Sequence, residues 1–109
     1  MSAALADPLE LMHGPSWRNR IMLAPLTNAQ SNLDGTLSDA EIDWLLARAR
    51  GGFGLVMTAA AYVHRAGNAW AGQLGVSDDA HLPGLRRLAD GIREAGAVSA
   101  VQRSPSHQR

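Results

Sequence analysis

Short apolar runs alternate with helix patterns along this chain, and this alternation constrains the fold more than any other feature. The sequence predicts the order hairpin, strand, helix, strand, helix, strand, with strands at residues 21–24, 53–59 and 97–101. The run at 53–59 is almost continuously apolar, which is typical of a parallel strand covered on both faces. Strands that alternate with helices predict an α/β fold with a parallel sheet.

Both predicted helices begin at recognisable capping residues. Ser38 and Glu41 have the spacing of a capping box at the start of the first helix. The second helix is expected to begin at Ser77 or Asp78. Apolar residues at helical spacing predict the buried faces, which are Ile42, Leu45, Leu46 and Ala49 in the first helix and Leu82, Leu85, Ala89 and Ile92 in the second.

The remaining segments have turn and loop composition. Residues 9–12 and 17–20 flank His13-Gly14-Pro15-Ser16, and this pattern predicts a short hairpin before the first strand. Loops are predicted at 27–36 and 60–77. The second loop is longer than most connections, and loops of that length are usually functional or disordered.

Three predicted strands end in positions that suit a common site. Pro25 stops the first apolar strand and is followed by Leu26 and Thr27, while Ala60 and Gln102 occupy the same relative places after the second and third strands. In a parallel barrel the chemistry lies at the carboxyl ends of the strands. Taken singly, these residues have plainer interpretations as a loop-capping hydroxyl, a packing residue and an exposed strand terminus. Their shared register favours a site.

Length and composition exclude several classes of function. The chain has 109 residues, whereas an eight-stranded α/β barrel usually takes roughly 250. Its formal net charge is zero, from ten basic and ten acidic residues, which offers no electrostatic surface for nucleic acid. The absence of cysteine excludes disulfides and fits the cytoplasm. No signal peptide or membrane-spanning run is expected, and the membrane is not a predicted partner.

Four motifs occur in order along residues 8–102. They are Asn-Arg-Ile at 19–21, Ala-Pro-Leu-Thr at 24–27, Gly-Gly-Phe-Gly-Leu at 51–55, and a Gly-Gln-x-Gly loop followed by Ser-Asp-Asp at 72–79. With these motifs the chain resembles the Old Yellow Enzyme family, the FMN-dependent NAD(P)H:flavin oxidoreductases. The resemblance implies the amino-terminal portion of a (β/α)8 TIM barrel, with the barrel incomplete.

The resemblance also implies a cofactor, a reaction and a set of contacts. FMN would receive hydride from NADH or NADPH and pass it to a small-molecule acceptor, as in ene-reductases. Gln102 would hydrogen-bond to the pyrimidine end of the flavin, and Ala60 would leave room for the ring. The implied cofactor-binding residues are Ala24, Pro25, Leu26, Thr27, Ala60 and Gln102, with no catalytic residue among them. Ala59 stands where the family often has an acidic residue.

The carboxyl-terminal residues depart from the family pattern. Residues 103–109 are polar and include a proline, so residues 1–109 are interpreted as a single partial domain with a barrel start at 8–102 and an atypical tail. A truncation or a change of reading frame is one hypothesis. Because the family's substrate-binding, proton-donating and phosphate-binding parts are not in this sequence, we expect marginal stability and no activity of the chain alone. The alternative is a non-catalytic fragment or a small α/β interaction module.

Other conspicuous side chains are weaker candidates. The histidines show no metal-ligand spacing, so no metal site is expected; they are His13, His64, His81 and His107. Trp44, Tyr62 and Trp70 could form a substrate cage, although aromatics on helices and loops usually pack. No Gly-x-Gly-x-x-Gly or P-loop lies between a strand and a helix, which argues against a free-standing nucleotide-binding unit.

Overall fold

The described residues form two α-helices, two 3-10 turns and five short strands. A computed structural model describes residues 4–26 and 28–104. The elements are β1 (Met22–Leu23), α1 (Asp39–Arg50), β2 (Leu55–Met57), β3 (Ala61–Tyr62), α2 (Leu82–Glu94), β4 (Val98–Ala100) and β5 (Arg103–Ser104). Within the described part, neither α-helix is long and apolar enough to cross a membrane.

The central sheet is parallel and has the order β1-β2-β4. Met22 lies opposite Leu55, and Leu55 lies opposite Val98 on its other side. These strands occupy the three predicted apolar runs but are shorter than those runs. The α/β prediction is confirmed, and all three strands point their carboxyl ends the same way.

A second parallel pair joins β3 to β5, with Ala61 opposite Arg103. The prediction of a loop at 60–77 was therefore wrong at Ala61–Tyr62, and the first two residues of the predicted atypical tail form a short strand. Strands of two residues are too short to show a periodic pattern, so their pairing depends on the sheet beside them. Residues 105–109 of the predicted tail lie outside the described residues.

Helix α1 begins where its capping residue predicts. The Ser38 hydroxyl accepts a hydrogen bond from the backbone N–H of Glu41 at 3.1 Å. The reciprocal half of the predicted capping box does not form, because the Glu41 carboxylate accepts its hydrogen bond from Ser31 instead. Before α2, Asp78 caps a 3-10 turn at Asp79–His81, and the α-helix continues from Leu82.

The core lies between the two helices and one face of the central sheet. Its buried side chains are Leu37, Ile42, Leu45, Ala49, Val56, Ala61, Leu74, Leu88, Ile92 and Ala97. The stripe predicted for α1 faces this core, with Leu46 only half-buried. The stripe predicted for α2 was partly wrong, since Leu82 is 47% exposed and Leu88 is 3% exposed.

The predicted hairpin is reduced to one antiparallel bridge between Leu9 and Trp17. The chain after it is held at the amino ends of the central strands. There the Asn19 side chain donates to the Gly52 carbonyl at 2.6 Å, and the Gly54 N–H donates to the Ile21 carbonyl at 2.8 Å. Any side chain at Gly54 would collide with the Asn19 backbone. The Asn-Arg-Ile and Gly-Gly-x-Gly motifs thus hydrogen-bond to each other and fix the amino ends of β1 and β2 side by side.

Candidate functional site

Backbone hydrogen bonds hold the three predicted strand ends side by side. The Ala60 N–H donates to the Leu26 carbonyl at 3.2 Å, and the Ala61 N–H donates to the Gln102 carbonyl at 2.9 Å. Ala60 is therefore the central position, with Leu26 on one side and Gln102 on the other. Thr27, the fourth residue of the first strand end, lies outside the described residues.

The Gln102 side chain stands at an open cleft beside these strand ends. The cleft has a volume of about 550 Å³ and is lined by Met57, Val63, Val101, Gln102 and Arg103. Within the described residues, the exposed side-chain amide of Gln102 has no hydrogen-bond partner. An apolar wall with a free amide can take a flat ligand that has a polar edge.

The long second loop is ordered against the first by buried and half-buried side chains. The Trp70 indole N–H donates to the Asn28 carbonyl at 2.7 Å. The fully buried Gln73 accepts from the Ala69 N–H at 2.8 Å and donates to the Ala60 carbonyl at 3.3 Å. Gln73 thus links the second loop directly to the centre of the candidate site. The Gly-Gln-x-Gly motif signalled this residue, but sequence reasoning gave it no role.

A buried histidine closes the other end of the same loop. The ring of His81 is 3% exposed, its Nδ1 accepts from the Ser77 N–H at 3.1 Å, and its Nε2 lies 2.9 Å from the Asp34 carbonyl. Nε2 is therefore the donor, and the ring packs edge-on against Tyr62. Sequence reasoning discounted this histidine; its place three residues after a capping aspartate was the available signal.

The three aromatic residues considered for a cage have separate partners. Tyr62 is buried against His81, Trp70 bonds to the first loop, and Trp44 lies under the Arg48 guanidinium at 3.9 Å. The packing interpretation accounts for all three. Among residues 4–26 and 28–104, no group of three acidic or histidine side chains could hold a metal ion.

Glu41 is a buried acid directly behind the first strand end. Its side chain is 1% exposed, and its Oε1 accepts from the Ser31 hydroxyl at 2.5 Å. Burial raises the pKa of Glu41, and the hydrogen bonds from Ser31 and the backbone offset this only in part. By contrast, the hydroxyl and N–H of Thr36 lower the pKa of the exposed Asp34.

Replacing Glu41 with glutamine is expected to make stability less dependent on pH. Glu41 keeps its proton in the folded chain above its ordinary pKa of 4.5, where the unfolded chain has already lost it. Its contribution is therefore full below that value and is lost as the pH rises through the raised folded pKa. Urea unfolding of both proteins from pH 4.5 upwards measures this. As the pH rises, the free energy of unfolding of E41Q should increase relative to that of the wild type. A constant difference would contradict the expectation.

Comparisons with known proteins now identify the fold and the family. The sequence profile described as NADH:flavin oxidoreductase / NADH oxidase family matches residues 5–106. The chain belongs to this family. Among its relatives, the Bacillus subtilis protein named "Probable NADH-dependent flavin oxidoreductase YqiG" is 42% identical over 98 residues, which cover 90% of this chain.

Solved structures of family members agree. A 2-naphthoyl-CoA reductase in complex with 2-naphthoyl-CoA superposes with a TM-score of 0.84 at 36% identity, over 90% of this chain and 15% of the other. The old yellow enzyme from Trypanosoma cruzi gives 0.77 at 27% identity, over 91% and 26%. The chain covers 26% of the B. subtilis protein, so it spans about a quarter of these relatives' length or less. The prediction of an incomplete TIM barrel and of the Old Yellow Enzyme family is confirmed.

The residues present fit the flavin that the family name implies. The cleft combines the apolar side chains of Met57, Val63 and Val101 with Arg103 and with the Gln102 amide, which has no side-chain hydrogen bond in the part of the chain that the structure describes. Ala24 and Leu26 are exposed at the neighbouring strand end. A flat aromatic ring system with a hydrogen-bonding edge matches this combination of surfaces.

Proposed function

We propose that this chain provides the ring-contacting part of the flavin site in an FMN-dependent NAD(P)H oxidoreductase of the ene-reductase type. The observation that carries the proposal is the convergence of Leu26, Ala60 and Gln102 at three adjacent strand ends, next to an open apolar cleft. A cytoplasmic location and small-molecule substrates, without nucleic acid, belong to the same proposal.

Each contact residue would have a distinct task. Bound FMN would take hydride from NADH or NADPH and deliver it to an activated alkene or a related acceptor. Ala24, Pro25 and Leu26 offer an apolar surface for one part of the ring, together with the Thr27 hydroxyl. Ala60 keeps its position small. The Gln102 amide can both donate and accept a hydrogen bond, which suits the alternating carbonyl and N–H groups of a pyrimidine edge.

Flavin titration of the 109-residue chain tests this proposal. All the proposed contacts are to the ring, so lumiflavin, which lacks the ribityl phosphate, should bind within about threefold of FMN. Q102L should weaken both ligands about fivefold, the loss expected for one hydrogen bond of about 1 kcal/mol. Fluorescence quenching of each flavin provides the measurement, after circular dichroism has established that each protein is folded.

Two further variants sharpen the test. Ala60→Phe adds a large side chain at the centre of the site and should abolish binding of both flavins. Glu94→Gln changes an exposed residue at the last turn of α2, which adjoins the amino end of β4, and should leave binding unchanged. A folded chain that binds neither flavin, or that binds both equally well after Ala60→Phe, would contradict the proposal.

A non-catalytic interaction module is the alternative. It is favoured by an apolar groove of about 240 Å³ between α2 and β4, to which Leu85, Ala89, Ile92 and Val101 contribute. A chain that binds no flavin but forms a defined dimer in analytical ultracentrifugation would support this alternative.

A further inference from the structure

One polar atom of the buried acid behind the first strand end is unsatisfied. While Glu41 Oε1 accepts from Ser31, Glu41 Oε2 has no partner among the described residues. Burying an oxygen without a hydrogen-bond partner is costly, so native structures rarely retain one. Glu41 is also the third residue of α1, where it would ordinarily return a bond to the helix cap. Its conformation therefore needs a separate physical reason.

A small cavity lies between this acid and the first strand end. It has a volume of about 10 Å³. Most of its lining is apolar, including Ala24, Leu26 and Trp44, and its polar side chains are Glu41 and Asn28. That volume is close to the minimum for one water molecule. The cavity borders the residues assigned to the flavin ring on one side and the start of α1 on the other.

Two kinds of content can be weighed against each other. An empty cavity would be expected if its lining were apolar, as engineered cavities lined by leucine and phenylalanine are. This lining is mostly apolar, but it contains the Asn28 side chain and the Glu41 carboxyl group, whose Oε2 has no partner among the described residues. A neutral carboxyl at Glu41, consistent with its raised pKa, can donate to a water molecule as well as accept from one.

We propose that this cavity holds one buried water molecule, bonded to Glu41 Oε2 and to the backbone of Ala24, Leu26 or Asn28, and that Glu41 thereby acts as a positioning residue for the first strand end. Glu41 acts through the water on the loop whose other side would contact the ring. The effect of Glu41 on flavin binding rests on the proposed function, whereas the presence of the water molecule does not depend on it.

Nuclear magnetic resonance on the full 109-residue chain tests the water directly. Cross-relaxation between a long-lived water and the amide protons of Leu26 or Asn28 is expected in the wild type. E41Q keeps one acceptor and adds a donor, so it should retain the cross-peaks. E41M has a similar length but no hydrogen-bonding oxygen, and it should lose them. Absence of the cross-peaks in the wild type, or their persistence in E41M, would overturn the proposal.

Hydrogen exchange separates positioning from general destabilisation. In E41M the amides of the first loop should exchange about tenfold faster, while those of Leu88 and Ile92 in α2 keep their rates. E41Q should restore the loop rates. Equal acceleration at all sites would show a merely structural role and overturn the positioning claim. If E41M does not fold, Ser31→Ala is measured instead. That variant leaves Glu41 Oε2 in place, so it should keep the water cross-peaks. Loss of the cross-peaks in Ser31→Ala would overturn the proposal.

Flavin affinity keeps this inference distinct from the proposed function. If the wild type binds lumiflavin, E41M should bind it about fivefold more weakly and E41Q about as well as the wild type. Unchanged affinity in an E41M protein that has lost the water would overturn the positioning role. If no variant binds flavin, the proposed function fails, while the water cross-peaks and loop exchange rates still decide whether Glu41 holds the loop.

Discussion

Replacing Arg18 with methionine is expected to lower the free energy of unfolding by about 3 kcal/mol, because the guanidinium makes several charge-assisted bonds to backbone carbonyls. It donates to Ala95 at 2.7 Å, to Ala49 at 2.5 Å and to Phe53 at 2.9 Å. Ala49 and Ala95 lie at the carboxyl ends of α1 and α2. One cation thus bonds to backbone carbonyls at the ends of both helices, where the Ala49 carbonyl also accepts from the Gly52 N–H, and it favours the dipoles of both helices.

Arg20→Met is the matched control for this substitution. Arg20 is also exposed, but with residues 4–26 and 28–104 its guanidinium makes a single bond, to the Pro8 carbonyl at 3.0 Å, so a loss of about 1 kcal/mol or less is expected. Arg18→Lys should fall between the two, since an ammonium keeps the charge but cannot bridge the same carbonyls. Urea unfolding followed by circular dichroism measures all three. Equal losses for the two methionine variants would refute the role of Arg18.

Gly72→Ala is expected to destabilise the chain by about 2–3 kcal/mol and to detach the second loop from the first. Gly72 has a φ of +83°, which costs an L-residue about 1–2 kcal/mol. A β-carbon there would also lie 2.5 Å from the Ala29 carbonyl oxygen, which belongs to the opposing backbone. In addition, the Gly72 carbonyl accepts from the Ser31 N–H at 3.0 Å, so the Ser31 amide should exchange faster in the variant.

Gly52→Ala isolates the conformational part of this effect. Gly52 also has a positive φ, +118°, but nothing lies within 4 Å of its added β-carbon. Gly52→Ala should therefore lower the free energy of unfolding by about 1–2 kcal/mol less than Gly72→Ala does. Differential scanning calorimetry of both variants gives the comparison. Similar stabilities, or an unchanged Ser31 exchange rate in Gly72→Ala, would show that the contact with Ala29 is not tight.

Both effects are large relative to the stability expected of this chain. A small chain buries a low fraction of its surface, and whole domains are stable by only about 5–15 kcal/mol. The outer edges of β1 and β4 should lower stability further, since neither strand has a second neighbour within the described residues. The sequence-based expectation of marginal stability stays a prediction, and a sharp cooperative unfolding transition of a monomer would contradict it.

The candidate site divides between what sequence reasoning reached and what it missed. Ala60 and Gln102 were found because strand ends in a parallel sheet share one edge, and the structure brings both together with Leu26. Gln73 and His81 were missed as contributors. Their roles depend on backbone atoms of residues 60 and 34, which are distant in sequence. The flavin contacts themselves stay predictions.

The sequence by itself determined the elements whose causes are local. Ser38 caps α1 because its hydroxyl accepts from an N–H three residues away. The strand β1 ends two residues before Pro25, and proline has no N–H to donate to a neighbouring strand. The family motifs, likewise readable in order along the chain, were enough to predict the barrel.

The tertiary structure alone decided the contacts that join distant segments. Arg18 bonds to a carbonyl 77 positions away in the sequence. The strands β3 and β5 pair although α2 lies between them in the sequence. The Glu41 carboxylate accepts from Ser31 and does not return a bond to the helix cap. Each outcome depends on which backbone atoms lie within about 3 Å after the helices have packed on the sheet. Residue type and spacing do not specify those distances. The same side chain can form several alternative hydrogen bonds of similar strength, and only the packed structure determines which partner is within reach.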